Sequence, residues 1–293
     1  MIDEILPPWV AAAELFGDPP DITLLPEEEA LVSDSAEKRQ REFRTSRHCA
    51  HLALRQLGVN PRPILRGDRG APTWPPGVVG SITHCTGYRA AAVAHGALSI
   101  GIDAEPHLPM PTGVLERTAT PAEAAALDLL GLPNPGRLLF SAKESIYKAW
   151  YPLTGHWLGF LDAKVTFATS QPPPPSPHST TPTPTPQPAP NAPSHSAQHA
   201  SDALKLSPRP APPAHLTTPP AHTRALAEPG APATAAAPAA AKTATQSGTL
   251  TMFGTFNAEI AAHGPGWPTH FEGRWLVSSG LILTAIAVPA LSA

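Results

Sequence analysis

Ser99-Ile-Gly-Ile-Asp-Ala-Glu105 is the stretch on which the reading of this chain turns. It has the period of a strand, with Ile100, Ile102 and Ala104 facing one way and Gly101, Asp103 and Glu105 the other. Two carboxylates at i and i+2 sit about 7 Å apart along one face of an extended backbone. Glycine at 101 removes a side chain from that row, so a bulky group can approach the carboxylates from that end. Two readings follow. Either the acids mark the solvated end of a half-buried strand, or they hold a divalent metal against a phosphate.

Composition narrows what surrounds the strand. Half of the 40 prolines fall between Gln171 and Ser247, a stretch with no Phe, Tyr or Trp and with Asp202, Lys205, Arg209, Arg224, Glu228 and Lys242 as its charges. Such a tract cannot build a core and reads as a disordered Pro/Ala/Thr-rich insertion over residues 170–248. The remaining two thirds of the chain suffice for an ordinary core. Net charge is −3, which argues against a nucleic-acid binder and leaves anion recognition to a local basic cluster. Cys49 and Cys85 form no C-x-x-C pair, which suits a reducing, cytoplasmic setting. No basic segment precedes an apolar run at the N-terminus, so no signal peptide is expected. Trp275 to Ala293 is apolar but interrupted, and reads as a hairpin of Arg274–Val277 and Leu281–Val288 around Ser278-Ser-Gly280 rather than a membrane span.

Along the chain, residues 1–30 read as irregular, ending in a Pro26-Glu-Glu-Glu29 helix start. A helix follows from Asp34 or Ser35 to Leu57, stopped by Gly58. Lys38, Arg39, Arg41, Arg44, Arg47 and Arg55 make it strongly basic, which invites an anion. His48 and His51 on the same helix suggest no third metal ligand and read as surface residues. Gly80–Cys85 and Arg89–Ala94 read as two strands joined at Thr86-Gly87. Thr120-Pro-Ala-Glu123 carries a capping box with proline at the first helical position. Arg137 to Tyr151 forms a further helix before Pro152, with Glu144 and Lys148 one turn apart. Ala163–Phe167 and Met252–Phe256 read as strands of one domain on either side of the insertion.

Gly80-Ser-Ile-Thr-His84, Gly101-Ile-Asp103-Ala-Glu105 and Phe140-Ser-Ala-Lys143-Glu144-Ser-Ile-Tyr-Lys148-Ala resemble, in order and spacing, the three signature motifs of the 4'-phosphopantetheinyl transferase superfamily. They are most similar to its single-chain surfactin-type branch. Arg47-His-Cys-Ala, Gly70-Ala-Pro-Thr-Trp-Pro75 and Trp150–Gly159 further resemble the enterobactin-synthase-component-D-like and actinobacterial members. The proline tract departs from that pattern.

The resemblance implies an α+β fold of two pseudo-symmetric halves with the active site at their interface. The N-terminal half would be 1–102 and the second 103–169 plus 249–293. It implies a Mg²⁺-dependent enzyme of the holo-acyl-carrier-protein synthase type, moving the phosphopantetheine arm of coenzyme A onto a serine of an apo acyl or peptidyl carrier protein and releasing 3',5'-ADP. Asp103, Glu105 and Glu144 match the metal-binding acids. Glu144, Lys148 and His84 would be catalytic, with Glu144 as base and Lys148 meeting the pyrophosphate. Arg39, Arg47, Arg66, His84, Lys143 and Lys148 would contact coenzyme A. A monomer acting in the cytoplasm, without membrane or nucleic-acid partner, is expected. The competing readings are another Mg²⁺-dependent phosphoryl-transfer enzyme, and a scaffold whose proline tract recruits proline-reading domains.

Overall fold

A computed structural model describes residues 1–170, 251–261, 264 and 266–290. The expected proline-rich insertion lies outside the described residues. The described chain is α+β, with two antiparallel sheets, each backed by a long helix.

The first sheet has the order β1-β3-β2, from Ala11–Phe16 (β1), Tyr88–His95 (β3) and Val78–Cys85 (β2). Strand β1 lies in the segment expected to be irregular. Its Ala-Ala-Ala-Glu-Leu-Phe sequence has little strand propensity, and pairing of Ala11–Phe16 with Tyr88–Val93 supplies the order instead. The β2–β3 hairpin turns at Thr86-Gly87 as the sequence indicates, with Gly87 at φ +78°. Ahead of it, helices α1 (Pro26–Glu29) and α2 (Glu37–Gln56) follow their acidic and basic signals, and Gly58 ends the second with φ +72°. Alternation along β3 separates two cores. Ala91 and Val93 pack with Cys49, Ala50, Ala53 and Leu54 of α2, whereas Ala90, Ala92 and Ala94 pack toward β4 (Ala97–Pro106).

The second sheet has the order β4-β8-β7-β6-β5, from Ala97–Pro106, Leu281–Pro289, His270–Ser278, Met252–Ile260 and Ala163–Ser170. Strand β4 runs across residues 102 and 103. Strands β5 and β6 pair from Ala163↔Ile260 to Ser170↔Phe253, so the chain on either side of the insertion closes one ladder. Short helix α3 (Leu115–Thr118) leads to α4 (Pro121–Leu127), which opens on the expected capping box. Thr120 Oγ1 accepts from the Glu123 amide, and Glu123 accepts from the Thr120 amide. Helix α5 (Pro135–Thr154) runs past its expected end, because Pro152 sits in the last turn and Gly155, at φ +68°, makes the stop. No helix among the described residues is long and apolar enough to cross a membrane.

Strand β4 is buried on both faces, not half-buried. Ile100, Ile102 and Ala104 enter the core shared with Ala90, Ala92 and Ala94. On the other face, a Cβ at Gly101 would stand 1.9 Å from the Ser145 carbonyl oxygen, so α5 lies directly on the strand. Ser99 Oγ donates to the Ala149 carbonyl at 2.7 Å and fixes the same contact. Gly101→Ala is expected to destabilise the protein by about 3 kcal/mol, since neither backbone can yield, and denaturant unfolding measures this.

Candidate active site

The two sheets meet where β2 lies along β4. The amides of Ile102 and Ala104 donate to Ser81 Oγ at 3.1 Å and to Thr83 Oγ1 at 3.0 Å, so side-chain hydroxyls take the place of a backbone ladder. Thr83 in turn donates to Asp103 Oδ1 at 3.4 Å. From the other side, Lys148 Nζ donates to Asp103 Oδ1 at 2.7 Å and to the Ile102 carbonyl at 3.0 Å. Lys148 therefore pairs with Asp103 across the helix–strand contact. The surface Glu144–Lys148 pair that helix spacing alone suggests is not what forms.

Three acids gather at this seam. Asp103 is buried, and its Oδ2 has no hydrogen-bond partner among the described residues. Glu105 is held by Arg137 Nη1 at 2.9 Å, yet burial and the Asp103 charge push its pKa up to about 7. Burial and Asp103 likewise raise Glu144, against the pull of Lys148. Two carboxylates raised by a buried third, which has one oxygen orphaned, are a donor set suited to a hard cation. No three acidic, His or Cys side chains among the described residues converge closely enough to enclose a metal by themselves. The remaining ligands would have to be phosphate oxygens and water, the set that Mg²⁺ favours.

A basic cluster stands beside the acids. Arg39 Nη1 donates to His84 Nε2 at 3.2 Å, at the end of β2. Although His84 is exposed, the protein atoms crowded around its ring and then the charges of Arg39, Lys148 and Arg89 push its pKa down to about 4. Its ring is neutral at physiological pH and accepts from Arg39. Burial, with Arg66 and Arg39 nearby, lowers Arg47 to about 10. Arg39, Arg47 and Arg66 all lie over the ring of Phe43. A cavity of about 620 Å³ opens next to Glu144 and Lys148, walled by Trp74, Tyr147, Tyr151 and the Gly80 backbone.

Asp103, Glu105, Glu144, Lys148, His84, Arg39, Arg47 and Arg66 thus lie along one seam. Lys143 does not. Its ammonium is buried among the Thr118 carbonyl at 2.7 Å, the Phe160 carbonyl at 2.8 Å and Glu123 at 2.9 Å, which consumes its donors and ties α5 to α4. The expected contact of Lys143 with coenzyme A is corrected accordingly. His51 also differs from its expected surface role, since its Nε2 bonds the buried Glu28 at 2.9 Å. Sequence reasoning missed Arg89, whose Nη2 meets Asp18 at 2.8 Å, together with Thr83 and Phe43. The paired hydroxyls at 81 and 83, two apart on a strand, are the signal for Thr83.

Residues 27–94 match the 4'-phosphopantetheinyl transferase N-terminal domain, and residues 99–196 match the 4'-phosphopantetheinyl transferase superfamily. The chain belongs to that superfamily, and phosphopantetheinyl transfer is its activity. Among individual proteins it is similar to the 4'-phosphopantetheinyl transferase PptT of Mycobacterium tuberculosis, 52% identical over 177 residues that cover 58% of this chain and 78% of the relative. The 4'-phosphopantetheinyl transferase Npt of Nocardia iowensis is 55% identical over 170 residues, 57% of this chain and 77% of its own. Enterobactin synthase component D of Salmonella typhimurium is 36% identical over 160 residues, covering 51% and 64%.

Proton-detected NMR provides a check on the basic cluster. The His84 ring is expected not to titrate between pH 5.5 and 8. Because its folded pKa is depressed from the ordinary 6.5 to about 4, its contribution to stability is full above 6.5 and is lost as pH falls toward 4.

Proposed function

We propose that this transferase takes coenzyme A as its donor, requires Mg²⁺, and modifies a serine of an apo acyl or peptidyl carrier protein. The observation that carries the reading is the buried, orphaned Asp103 Oδ2 at the seam between an acidic and a basic cluster. In this reading residues 1–102 bind coenzyme A, and residues 103–169 with 249–293 supply the metal-binding and catalytic half, interrupted by 170–248.

Asp103, Glu105 and Glu144 would hold the cation, which supplies charge stabilisation to the pyrophosphate when bound. Lys148 meets the same charge while its bond to Asp103 fixes its position. Arg39, Arg47 and Arg66 receive the 3'-phosphate, and His84 orients Arg39 as a neutral acceptor. The cavity beside Glu144 receives the pantetheine arm, with Tyr147 and Tyr151 covering its apolar length.

A serine hydroxyl is a weak nucleophile until a base takes its proton. Glu144 takes that proton as the serine oxygen bonds the β-phosphorus and the bond to the bridging oxygen breaks. 3',5'-ADP leaves with that bond's electron pair.

Incubation with coenzyme A, Mg²⁺ and a panel of apo carrier proteins, read by mass spectrometry, tests the reading. Gain of the phosphopantetheine mass on at least one carrier is expected, and gain on none overturns it. Glu144→Gln and Asp103→Asn are each expected to lower turnover by about 10²- to 10⁴-fold while thermal unfolding shows a folded protein. Wild-type turnover of either at saturating Mg²⁺ overturns the assignment of that residue. Replacing residues 171–250 with a short hairpin turn is expected to preserve transfer, because Ser170 already pairs with Phe253. Loss of activity in a folded variant overturns that expectation.

A further inference from the structure

Phe43 continues the buried stripe of α2 through Arg47, Ala50 and Leu54, and by pattern it is an ordinary core residue. Its surroundings are not ordinary. The guanidinium carbons of Arg47, Arg66 and Arg39 lie 4.7, 5.2 and 6.0 Å from the centroid of its ring. Three like charges around one ring repel one another. Arg66 and Arg39 oppose the charge of Arg47, and Arg66 opposes that of Arg39.

Local acids offset this weakly. The Glu42 carboxylate is 3.9 Å from Arg39, and Glu28, which faces Arg47, is already engaged by His51 and the Ile64 amide. Arg47 is 5% exposed, and its Nε has no hydrogen-bond partner among the described residues. The negative face of an aromatic ring attracts cations within about 6 Å of its centroid, so the ring is the one attraction common to all three, beside the bond of Arg39 to His84.

We propose that Phe43 is a positioning residue whose ring gathers Arg39, Arg47 and Arg66 into one preorganised cradle for a phosphomonoester dianion, and so sets the enzyme's preference for a 3'-phosphorylated nucleotide. This rests on the reading above that these arginines meet the 3'-phosphate of coenzyme A. Phe43 is itself 5% exposed, so it does not stack on the ligand. Guanidinium groups laid against a ring keep their outward N–H donors for an anion. An aliphatic side chain of similar bulk would continue the buried stripe but present no negative face. The electronic character of the ring, rather than its volume, is what the cradle needs.

Isothermal titration of 3',5'-ADP and of 5'-AMP into the full chain, without turnover, tests this. The variants are Phe43→Leu, Phe43→Tyr and Phe43→pentafluorophenylalanine, the last keeping the ring's shape while withdrawing its negative face. The wild type is expected to bind 3',5'-ADP more tightly than 5'-AMP. Leucine and the fluorinated ring are expected to weaken 3',5'-ADP about tenfold, leaving 5'-AMP little changed, and to raise KM for coenzyme A more than they lower kcat. Tyrosine, which keeps the negative face, is expected to stay close to the wild type.

If the folded fluorinated variant keeps the wild-type preference, the role of Phe43 is overturned while the arginine assignment stands. If Phe43→Leu fails to fold, the fluorinated ring alone decides. A wild type that binds both nucleotides equally overturns the 3'-phosphate reading, and the inference with it.

Discussion

Asp103 is a carboxylate inside the protein, and much of the architecture follows from what keeps it there. An ion removed from water costs several kcal/mol unless partners compensate it. Lys148 reaches it at 2.7 Å because α5 rests on β4 at Gly101, where any side chain would hold the helix away. Thr83 reaches it because β2 meets β4 through hydroxyls, which span a wider gap than a backbone ladder. The closest approach of α5 and the contact between the sheets therefore converge on one residue. Ser141, Ala142, Ser145 and Ala149 make the first possible, being small and buried along the face of α5 that meets the sheet.

The same seam separates charge rather than cancelling it. Burial and Asp103 raise Glu105 to about 7, whereas burial and neighbouring arginines lower Arg47 to about 10. Both shifts begin with burial, and a like charge adds to each, Asp103 at Glu105 and Arg66 with Arg39 at Arg47, against the counter-charges of Arg137 and Glu28. The clusters do not neutralise each other because rigid strands hold them apart, with the neutral His84 ring bonded to Arg39 at the end of β2. In the proposed reading, a ligand carrying phosphate toward the arginines, with a hard cation at the acids, would complete both. That would be electrostatic preorganisation, with an unfavourable arrangement built during folding and relieved on binding.

Legibility in the sequence followed the range of the interaction. The β2–β3 hairpin, the basic helix, the α4 capping box and the closing β7–β8 hairpin are all set by neighbours in sequence, and each was readable. Strand β1 was not, because an Ala-rich segment becomes a strand through pairing with β3, more than seventy residues away. The paired acids of β4 were visible, but their burial was not. The second face of the strand is covered by a helix whose approach depends on one glycine and several small residues in different parts of the chain.

Lys143 and Phe43 show the limit of reading either motif or pattern by itself. Lys143 stands beside Glu144 in the motif, but adjacent helical residues point about 100° apart, and its direction leads to Glu123 and two carbonyls. It is a structural cation within that motif. Phe43 sits in a buried stripe, where an aromatic residue suggests packing alone, yet its ring is flanked by Arg39 and Arg47, each one turn away on α2, and by Arg66 from beyond the helix. In each case the residue type and spacing are correct signals of which way the side chain faces. Part of what it meets there is supplied by another element, Arg66 from the loop after α2 in one case and Glu123 from α4 in the other. Chemistry at this seam is therefore a property of pairs of elements, and a single segment specifies only its own half of each pair.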